Sequence, residues 1–326
     1  MQAKIIGTGS YVPKKVVSNR LLETMMDTSD EWIKTRTGIE NRRISETENT
    51  SVLCGKAALN VLGKATISAD KVDLIIVATM SPDYLSPSTA CLVQDYIGAS
   101  KSMAFDVSAA CSGFIYALSV AEKMLSSGKF HYALVLGGEV MSKIIDWDDR
   151  GTAVLFGDGA GGVLLENTSS QGSFIAEDIH SDGSRGLALT TGALPVSNPY
   201  SQNEKNPADI HLKMEGRAIF DFAIRSVPKS IKAVVETAGI DLSDVERILP
   251  HQANSRIIQA IAKKLKIPFE QFALNISNYG NTSAASIPIL FDELVSSGDL
   301  VLGTGKKIIL TGFGGGLTWG SILIRI

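Results

Sequence analysis

The sequence has few cysteines, and their number does not suggest disulfides. Only three are present, Cys54, Cys91 and Cys111, and no Cys-x-x-Cys spacing occurs. Since three cysteines cannot all pair within one chain, the simplest interpretation is reduced thiols in the cytoplasm.

An excess of positive charge is also absent. The 31 lysines and arginines are outnumbered by 34 aspartates and glutamates, which gives a formal net charge of −3 at pH 7. A surface that binds nucleic acid usually shows as a basic excess, so nucleic acid is not the expected main partner.

Long apolar runs are missing as well. The first seven residues (MQAKIIG) lack the charged flank and the long apolar run of a signal peptide. The longest apolar region, near the C-terminus, is broken by Lys306, Lys307 and the glycines at 314–316, so no membrane span is expected. With 44% hydrophobic and 20% charged residues, the composition is that of an ordinary soluble globular protein.

What the sequence does contain is an alternation of short apolar runs with helical patterns. This alternation predicts an α/β fold with largely buried sheets. The least regular stretch, 183–209, holds three of the ten prolines and predicts a long loop. The predicted strands are 4–7, 73–78, 104–107, 133–136, 161–165, 248–250 and 307–310, and the predicted helices are 50–62, 112–126, 216–238, 254–265 and 283–295.

Two pairs of segments indicate an internal duplication. Residues 70–77 (DKVDLIIV) resemble 243–250 (SDVERILP). KMLSSG at 123–128 resembles ELVSSG at 293–298, and this second pair has an offset of 170. That offset places Cys111 opposite Asn281, so the same strand-to-helix junction is expected twice. A pseudo-twofold fold with halves 1–170 and 171–326 brings both junctions to a shared central crevice.

Cys111 lies in the stretch SAACSG, between a predicted strand and a predicted helix. A helix N-terminus presents unpaired N–H groups and partial positive charge, which favour thiolate over thiol. The small neighbouring residues leave room for a substrate carbonyl. From this local sequence alone, Cys111 is either a small buried hydrophobe or a nucleophile. Cys54 and Cys91, inside helical patterns, are expected to be small buried hydrophobes.

His251 follows the predicted strand 248–250 and precedes a helix. Ends of strands in α/β folds are where ligand-contacting groups gather, although a single histidine there is more often structural than catalytic. His131, His180 and His211 stand among loop-like or surface-like residues. A cysteine, a histidine and an asparagine at strand-to-helix turns of a duplicated fold together favour a site.

The glycine-rich segment 312–320 (GFGGGLTWG) allows two interpretations. Consecutive glycines let backbone N–H groups approach a ligand, and one of them together with that of Cys111 can form an oxyanion hole for a thioester. Taken alone, the segment is more typical of a tight turn between two strands.

Short motifs along nearly the whole chain form a specific set, although the glycine-rich pieces alone are not specific. They resemble the β-ketoacyl-acyl carrier protein synthase III family, the initiating condensing enzymes of bacterial fatty acid synthesis in the thiolase-like superfamily. The resemblance implies a five-layer αβαβα sandwich of two similar halves, usually a homodimer. The motifs are DTSDEW at 27–32, RTG at 36–38, PSTAC at 87–91, AACSG at 109–113, FGDG at 156–159, HQAN at 251–254, YGNTS at 279–283 and GFGGG at 312–316.

The resemblance also implies a reaction. Cys111 takes an acyl group from acyl-CoA, then malonyl-acyl carrier protein binds, loses CO2, and its carbanion attacks the acyl-cysteine. His251 and Asn281 hold the malonyl thioester oxygen and stabilise the enolate, while the backbone N–H groups of Cys111 and Gly315 stabilise the tetrahedral oxyanion. Neither a metal nor a cofactor is implied, since acyl-CoA is a substrate.

Substrate-binding positions follow from the same resemblance. Trp32 stacks on the adenine of CoA, and Arg36 and Arg150 offer planar charged donors to its phosphates. Without the resemblance, these three are by default an edge-of-core tryptophan and two solvated arginines. Asn254 and Phe220 line the pantetheine tunnel. The implied CoA- and substrate-binding set is Thr28, Trp32, Arg36, Arg150, Gly216, Phe220, Asn254 and Phe313.

The resemblance also implies that Arg256 lies on the face that docks the carrier protein. Local positive charge there overrides the negative net charge of the chain. Asp221 stands where some relatives have a lysine, which weakens this expectation beside the tunnel mouth. Leu85 and Ser86 are the implied acyl-pocket residues, and Ser86 replaces a phenylalanine of some acetyl-preferring members. The acyl primer, acetyl or longer and branched, is therefore left open.

Single residues separate the neighbouring reactions. A degradative thiolase needs a second cysteine near the C-terminus, which 313–320 lacks, and an elongating condensing enzyme has a second histidine where Asn281 stands. A synthase of the hydroxymethylglutaryl type needs a catalytic glutamate that the N-terminal half does not reveal. A papain-like hydrolase also uses Cys-His-Asn but lacks this duplication, and a non-catalytic scaffold needs no thiol.

Overall fold

Two β-sheets form the framework of the protein. The structure is a computed structural model and describes residues 2–200 and 209–326. The strands are β1 (Gln2–Tyr11), β2 (Lys15–Ser18), β3 (Asn41–Ile44), β4 (Leu74–Ala78), β5 (Met103–Val107), β6 (Tyr132–Glu139), β7 (Gly159–Thr168), β8 (Phe174–Ser181), β9 (Leu189–Thr190), β10 (Lys213–Met214), β11 (Val245–Pro250), β12 (Lys307–Gly314) and β13 (Thr318–Arg325). The α-helices are α1 (Asn19–Leu22), α2 (Asp30–Thr37), α3 (Thr50–Ala65), α4 (Thr89–Ile97), α5 (Gly113–Ser126), α6 (Arg150–Ala153), α7 (Gly216–Ala238), α8 (Ser255–Leu265), α9 (Ile276–Tyr279) and α10 (Ser286–Ser297).

The two large sheets have the same strand order. The first runs β1-β7-β6-β4-β5, and the second runs β8-β13-β12-β11. In each sheet the first three strands are antiparallel neighbours and the next pair is parallel. A single parallel bridge between Ile248 and Phe272 stands where β5 stands in the first sheet. The predicted α/β fold of two similar halves is confirmed.

Helices α5 and α10 lie between the sheets, and the other long helices cover the outer faces. In β4, Leu74 and Ile76 pack with the central helices, whereas Ile75 packs with α3 and α4. In β12, Ile308 packs with the central helices and Ile309 with α7 and α8. Because successive strand side chains point to opposite faces, each sheet is buried on both sides. The layers are therefore α3/α4, first sheet, α5/α10, second sheet and α7/α8, the predicted five-layer sandwich.

The predicted pairing of Cys111 with Asn281 is wrong by about one helical turn. A one-turn 3₁₀ helix precedes each central helix, and each begins with a residue in left-handed backbone conformation, Ala110 with φ +46° and Ser283 with φ +49°. These positions pair Cys111 with Ala284. The alignment failed because α10 has 12 residues where α5 has 14, so a match at the helix ends does not hold at their beginnings.

The predicted long loop at 183–209 holds more structure than expected. It contains a 3₁₀ helix, Gly183–Ala188, followed by β9, which pairs with β10. Residues 201–208, with one of the three prolines, lie outside the described residues. In the described part of the chain, no helix combines the length and apolarity needed to cross a membrane.

Candidate active site

A cavity of about 260 Å³ is lined by residues from both halves of the chain. The predicted nucleophile Cys111 and the predicted pair His251 and Asn281 all line it, although they come from three separate parts of the sequence. Apolar side chains make up much of the remaining wall. These include Met80, Leu155, Phe156, Leu189, Leu212, Met214, Ile219 and Ile257.

Cys111 sits in the 3₁₀ turn that begins α5 and is 4% exposed. Burial raises the pKa of its thiol to about 12, although a hydrogen bond with the Ser283 side chain acts in the opposite direction. Burial therefore acts against the thiolate that the helix N-terminus was expected to favour, because the charged form loses more solvation on burial than the neutral thiol does.

His251 directly follows β11 and is 1% exposed. Its Nδ1 lies 2.7 Å from the Ser286 hydroxyl oxygen, and its ring meets the Phe313 ring edge-on at 5.3 Å. Burial lowers the pKa of His251 to about 3, so the imidazole is neutral at physiological pH. A neutral imidazole with one nitrogen engaged offers the other nitrogen to the cavity.

Asn281 is held at both its backbone and its side chain. Its backbone N–H donates to the Leu155 carbonyl at 2.9 Å and its carbonyl accepts from the Gly157 N–H at 3.0 Å. The side-chain oxygen accepts from the Ser283 N–H at 2.8 Å. Because that oxygen is occupied, the side-chain NH₂ is the group that remains to donate to a ligand.

The tight-turn interpretation of the glycine-rich segment is confirmed, and the oxyanion-hole interpretation stays a prediction. The segment forms the turn between β12 and β13. Gly314 also lines the cavity, and it lies so close to Cys111 that a Cβ on Gly314 would collide with the cysteine backbone. Thr318 ties the turn to the cysteine junction through hydrogen bonds to the Ala109 carbonyl at 3.1 Å and from Ser112 at 2.6 Å. Gly315 packs beside Ala110 and Leu189.

The residues expected to bind CoA and substrate fall into two groups. Trp32 is not part of the cavity wall. The guanidinium carbons of Arg36 and Arg150 lie 4.5 Å and 4.9 Å from the centre of its ring. The buried Thr28 hydroxyl finds no hydrogen-bond partner within the described residues. The members that line the cavity are Arg36, Gly216, Phe220, Asn254 and Phe313.

Asn254 also has a structural role, because its side-chain oxygen accepts from the Arg256 N–H and caps α8. Arg256 itself is exposed on the first turn of that helix. Asp221 lies on α7, 3.9 Å from Arg225. The structure does not bring Leu85 or Ser86 to the cavity of their own chain, since both are exposed and Leu85 is 85% exposed.

Sequence reasoning missed three buried residues beside the site: Ser283, Ser286 and Glu139. The two serines stand inside and just after the motif YGNTS, but nothing in that motif marks their contacts. Glu139 ends β6, a strand with an otherwise apolar run, and an acidic residue in such a position is a signal that could have been used. It is 0% exposed, yet it does not line the cavity.

Similarity to known proteins extends over the whole length of the chain. The family model for 3-oxoacyl-[acyl-carrier-protein] synthase III matches residues 105–183, and the model for its C-terminal part matches 235–326. A β-ketoacyl-[acyl-carrier-protein] synthase III of Streptococcus mutans is 55% identical over 324 residues, 99% of each chain. The crystal structure of 3-oxoacyl-[acyl-carrier-protein] synthase III from Aquifex aeolicus is 45% identical, with a TM-score of 0.92 over 99% of this chain and 100% of that one. The priming β-ketosynthase of the R1128 polyketide pathway is 32% identical, with a TM-score of 0.92 over 100% of this chain and 96% of that one.

Proposed function

The chain belongs to the β-ketoacyl-acyl carrier protein synthase III family, and on that premise we propose how its own residues perform the reaction. It is an acyltransferase that starts fatty acid synthesis by condensing an acyl-CoA primer with malonyl-acyl carrier protein, with loss of CO2. One observation carries the assignment of residues: Cys111, His251 and Asn281 line the same buried cavity.

Acylation is the first half-reaction of the proposal. The Cys111 sulfur attacks the thioester carbon of acyl-CoA, and backbone N–H groups of Cys111 and Gly315 stabilise the negative oxygen of the tetrahedral intermediate. The bond to the CoA sulfur then breaks and the acyl group stays on the cysteine. The close contact of Gly314 with the cysteine backbone supports this arrangement, because it leaves no side chain between the turn and the sulfur.

Decarboxylation and condensation form the second half-reaction. His251 and the side-chain NH₂ of Asn281 donate to the malonyl thioester oxygen, where negative charge develops as the bond to CO2 breaks. The resulting carbanion attacks the acyl carbon, and the Cys111 sulfur departs. Support comes from the neutral state of the buried imidazole and from the occupied side-chain oxygen of Asn281, which leave both groups as uncharged donors.

We propose that the two groups of residues described above bind CoA. Trp32 stacks on the adenine, Arg36 and Arg150 bind phosphate, and Thr28 supplies a hydroxyl that is free to pair. The pantetheine arm passes Gly216, Phe220, Asn254 and Phe313 on its way to Cys111. Because acyl-CoA is itself consumed, the proposed reaction needs no metal and no prosthetic group.

A homodimer and a docking face for the carrier protein complete the proposal. Leu85 and Ser86 are exposed in the single chain, so an acyl-pocket role for them needs a second copy of the chain. Arg256 is exposed beside the residues that line the cavity, where it can meet an acidic carrier protein. We place the protein in the cytoplasm, which agrees with three free cysteines.

Reconstitution tests this function. The purified protein, acetyl-CoA and malonyl-acyl carrier protein should give β-ketobutyryl-acyl carrier protein, free CoA and CO2 in equal amounts. Replacement of acetyl-CoA by acetyl-acyl carrier protein should reduce product strongly, since the CoA-binding residues then have no ligand. Efficient condensation from the carrier-bound primer, with none from acetyl-CoA, contradicts an initiating role.

A further inference from the structure

The side chain of Asn281 is oriented by a neighbour in its own turn. Its oxygen accepts from the Ser283 N–H at 2.8 Å, which leaves the amide NH₂ to donate to a ligand. If the amide rotated by half a turn, it would present an acceptor oxygen to a negatively charged thioester oxygen, and the two would repel. The direction of the Asn281 amide therefore depends on the position of the Ser283 backbone.

The backbone of Ser283 has an unusual conformation. Its φ of +49° lies in the left-handed region that non-glycine residues rarely adopt, and such a conformation persists only where surrounding contacts fix it. The equivalent residue of the first half is Ala110, with a φ of +46°. Because an alanine adopts this conformation there, the turn itself does not require a hydroxyl. The Ser283 hydroxyl needs a separate explanation.

The Ser283 hydroxyl bonds to a carboxylate behind the cavity wall. Its Oγ donates to Glu139 Oε1 at 3.0 Å and also lies 3.4 Å from the Met80 sulfur. A hydroxyl has one proton to give, and a carboxylate oxygen is a stronger acceptor than a thioether. Ser283 and Glu139 are both 0% exposed, so solvent does not compete for this hydrogen bond.

Glu139 is itself fixed by the three residues that follow β4. The Met80 N–H donates to both carboxylate oxygens, to Oε1 at 3.2 Å and to Oε2 at 3.1 Å. The Thr79 hydroxyl and the Ser81 N–H each donate to Oε2 at 3.0 Å. These donors belong to the first half of the chain, so the carboxylate joins that half to the Ser283 turn of the second half.

We propose that Glu139 is a positioning residue for decarboxylation, which acts through Ser283 on the direction of the Asn281 amide. The inference rests on the proposed role of Asn281 as a donor to the malonyl thioester oxygen. Since Glu139 holds the hydroxyl, the Ser283 N–H stays directed at the Asn281 oxygen. The amide NH₂ then stays available to the oxygen on which negative charge develops. Glu139 does not line the cavity, so it affects the reaction without touching the substrate.

The two half-reactions of wild type and Ser283→Ala test this role. Acetylation of Cys111 by acetyl-CoA is followed by intact mass, and labelled CO2 is counted as malonyl-acyl carrier protein is varied. Ser283→Ala should fold, because Ala110 has the same backbone conformation, and the melting temperature verifies this. Ser230→Ala is the matched control, since Ser230 is also buried and its hydroxyl donates to the Asp178 carbonyl at 3.1 Å, but it does not line the cavity.

Ser283→Ala should lower kcat for CO2 release on the order of tenfold, less than the loss of about 10²–10³-fold when a whole oxyanion donor is removed. KM for malonyl-acyl carrier protein should change little, because the charge that Asn281 stabilises develops only in the transition state. The rate of acetylation should also change little, because Asn281 does not donate to the primer. A merely structural role instead lowers both half-reactions together.

The Asn281→Ala background separates positioning from every other effect of the substitution. Where the amide is absent, Ser283 has nothing to orient, so Ser283→Ala should add no further loss of CO2 release to that of Asn281→Ala. Glu139→Gln keeps the size of the side chain but replaces one acceptor oxygen by an NH₂ donor. It should show the same selective loss and the same lack of additivity, and Ser283→Ala decides the proposal if Glu139→Gln does not fold.

The outcomes for the positioning role and for the proposed function are distinct. Selective loss of CO2 release in Ser283→Ala, no further loss in the Asn281→Ala background and a normal rate in Ser230→Ala support the positioning role. Wild-type CO2 release in Ser283→Ala overturns it, and so does an equal loss of acetylation or a full additional loss in the double variant. A wild-type protein that neither accepts acetyl from acetyl-CoA nor releases CO2 contradicts the proposed function instead.

Discussion

The Nδ1 atom of His251 lies 2.7 Å from the hydroxyl oxygen of Ser286, the first residue of α10. The Gln252 N–H donates to the same oxygen at 3.4 Å. With that lone pair occupied, the serine can give its own proton to Nδ1, which places the imidazole proton on Nε2. A protonated Nε2 is the donor that the malonyl oxygen requires.

Ser286→Ala should therefore impair decarboxylation more than acylation. The histidine loses the partner that fixes its tautomer, and one unpaired buried polar group costs about 1–3 kcal/mol, which is on the order of tenfold in rate. CO2 release from labelled malonyl-acyl carrier protein measures the effect. Ser297→Ala, at the exposed end of the same helix, is the control, and an unchanged rate in Ser286→Ala argues against the tautomer assignment.

Asn281→Ala should separate the two half-reactions. The loss of one donor to a developing oxyanion typically costs about 10²–10³ in rate, so CO2 release should fall by that factor. Acylation should persist, because Asn281 donates to the malonyl thioester and not to the primer. Acyl-enzyme by intact mass and labelled CO2 are measured on the same sample. Equal loss of both steps rules out this division of roles.

The buried His251 should make the protein less stable in acid. Its pKa is about 3 when folded and ordinarily 6.5, so below about pH 6.5 the unfolded chain binds a proton that the folded chain excludes. The free energy of unfolding should then fall as pH falls, by about 1.4 kcal/mol per pH unit from this residue.

Urea denaturation of wild type and His251→Asn at several pH values measures this contribution. Glu139 and Asp158 have pKa values raised by burial, so they act with the opposite sign, but they are present in both proteins and cancel in the difference. The variant should show a shallower loss of stability in acid. Parallel pH profiles would show that His251 is not the excluded group.

Primer choice should depend on Ser86. A small side chain leaves space for several methylenes, each worth about 0.8 kcal/mol when buried, so isobutyryl- and hexanoyl-CoA should serve as primers beside acetyl-CoA. Ser86→Phe should restrict the protein to acetyl-CoA, while Val301→Phe, at an exposed site before β12, should not. Wild type that rejects everything longer than acetyl disproves the deeper pocket.

The sequence allowed much of the framework to be predicted. Six of the seven predicted strands lie within observed ones, and the seventh, 73–78, begins one residue before β4. Helix α7 has the predicted bounds, because long apolar periodic segments can be recognised from local sequence. β8 escaped prediction because it is an edge strand with a mixed pattern. Its Glu177 pairs with Lys123 and its Asp178 with His180, so charges interrupt the apolar alternation.

In the candidate site, too, some features could be predicted from the sequence and others could not. Cys111, His251 and Asn281 were recognisable because they stand in motifs at the ends of predicted elements. The hydrogen bond between Ser283 and Glu139 joins residues 144 positions apart, and no local sequence pattern predicts it. The protonation state of Cys111 was also beyond the sequence, because it depends on burial by both halves of the fold.

Acyl transfer to Cys111 tests the central claim most directly. The protein is incubated with acetyl-CoA, weighed by intact mass spectrometry and mapped by peptide. We predict the addition of one acetyl group, located on Cys111, and its disappearance when malonyl-acyl carrier protein is added. Cys111→Ser should not carry the thioester. An acetyl group on Cys54 or Cys91, or no added mass in the wild-type protein, contradicts the account.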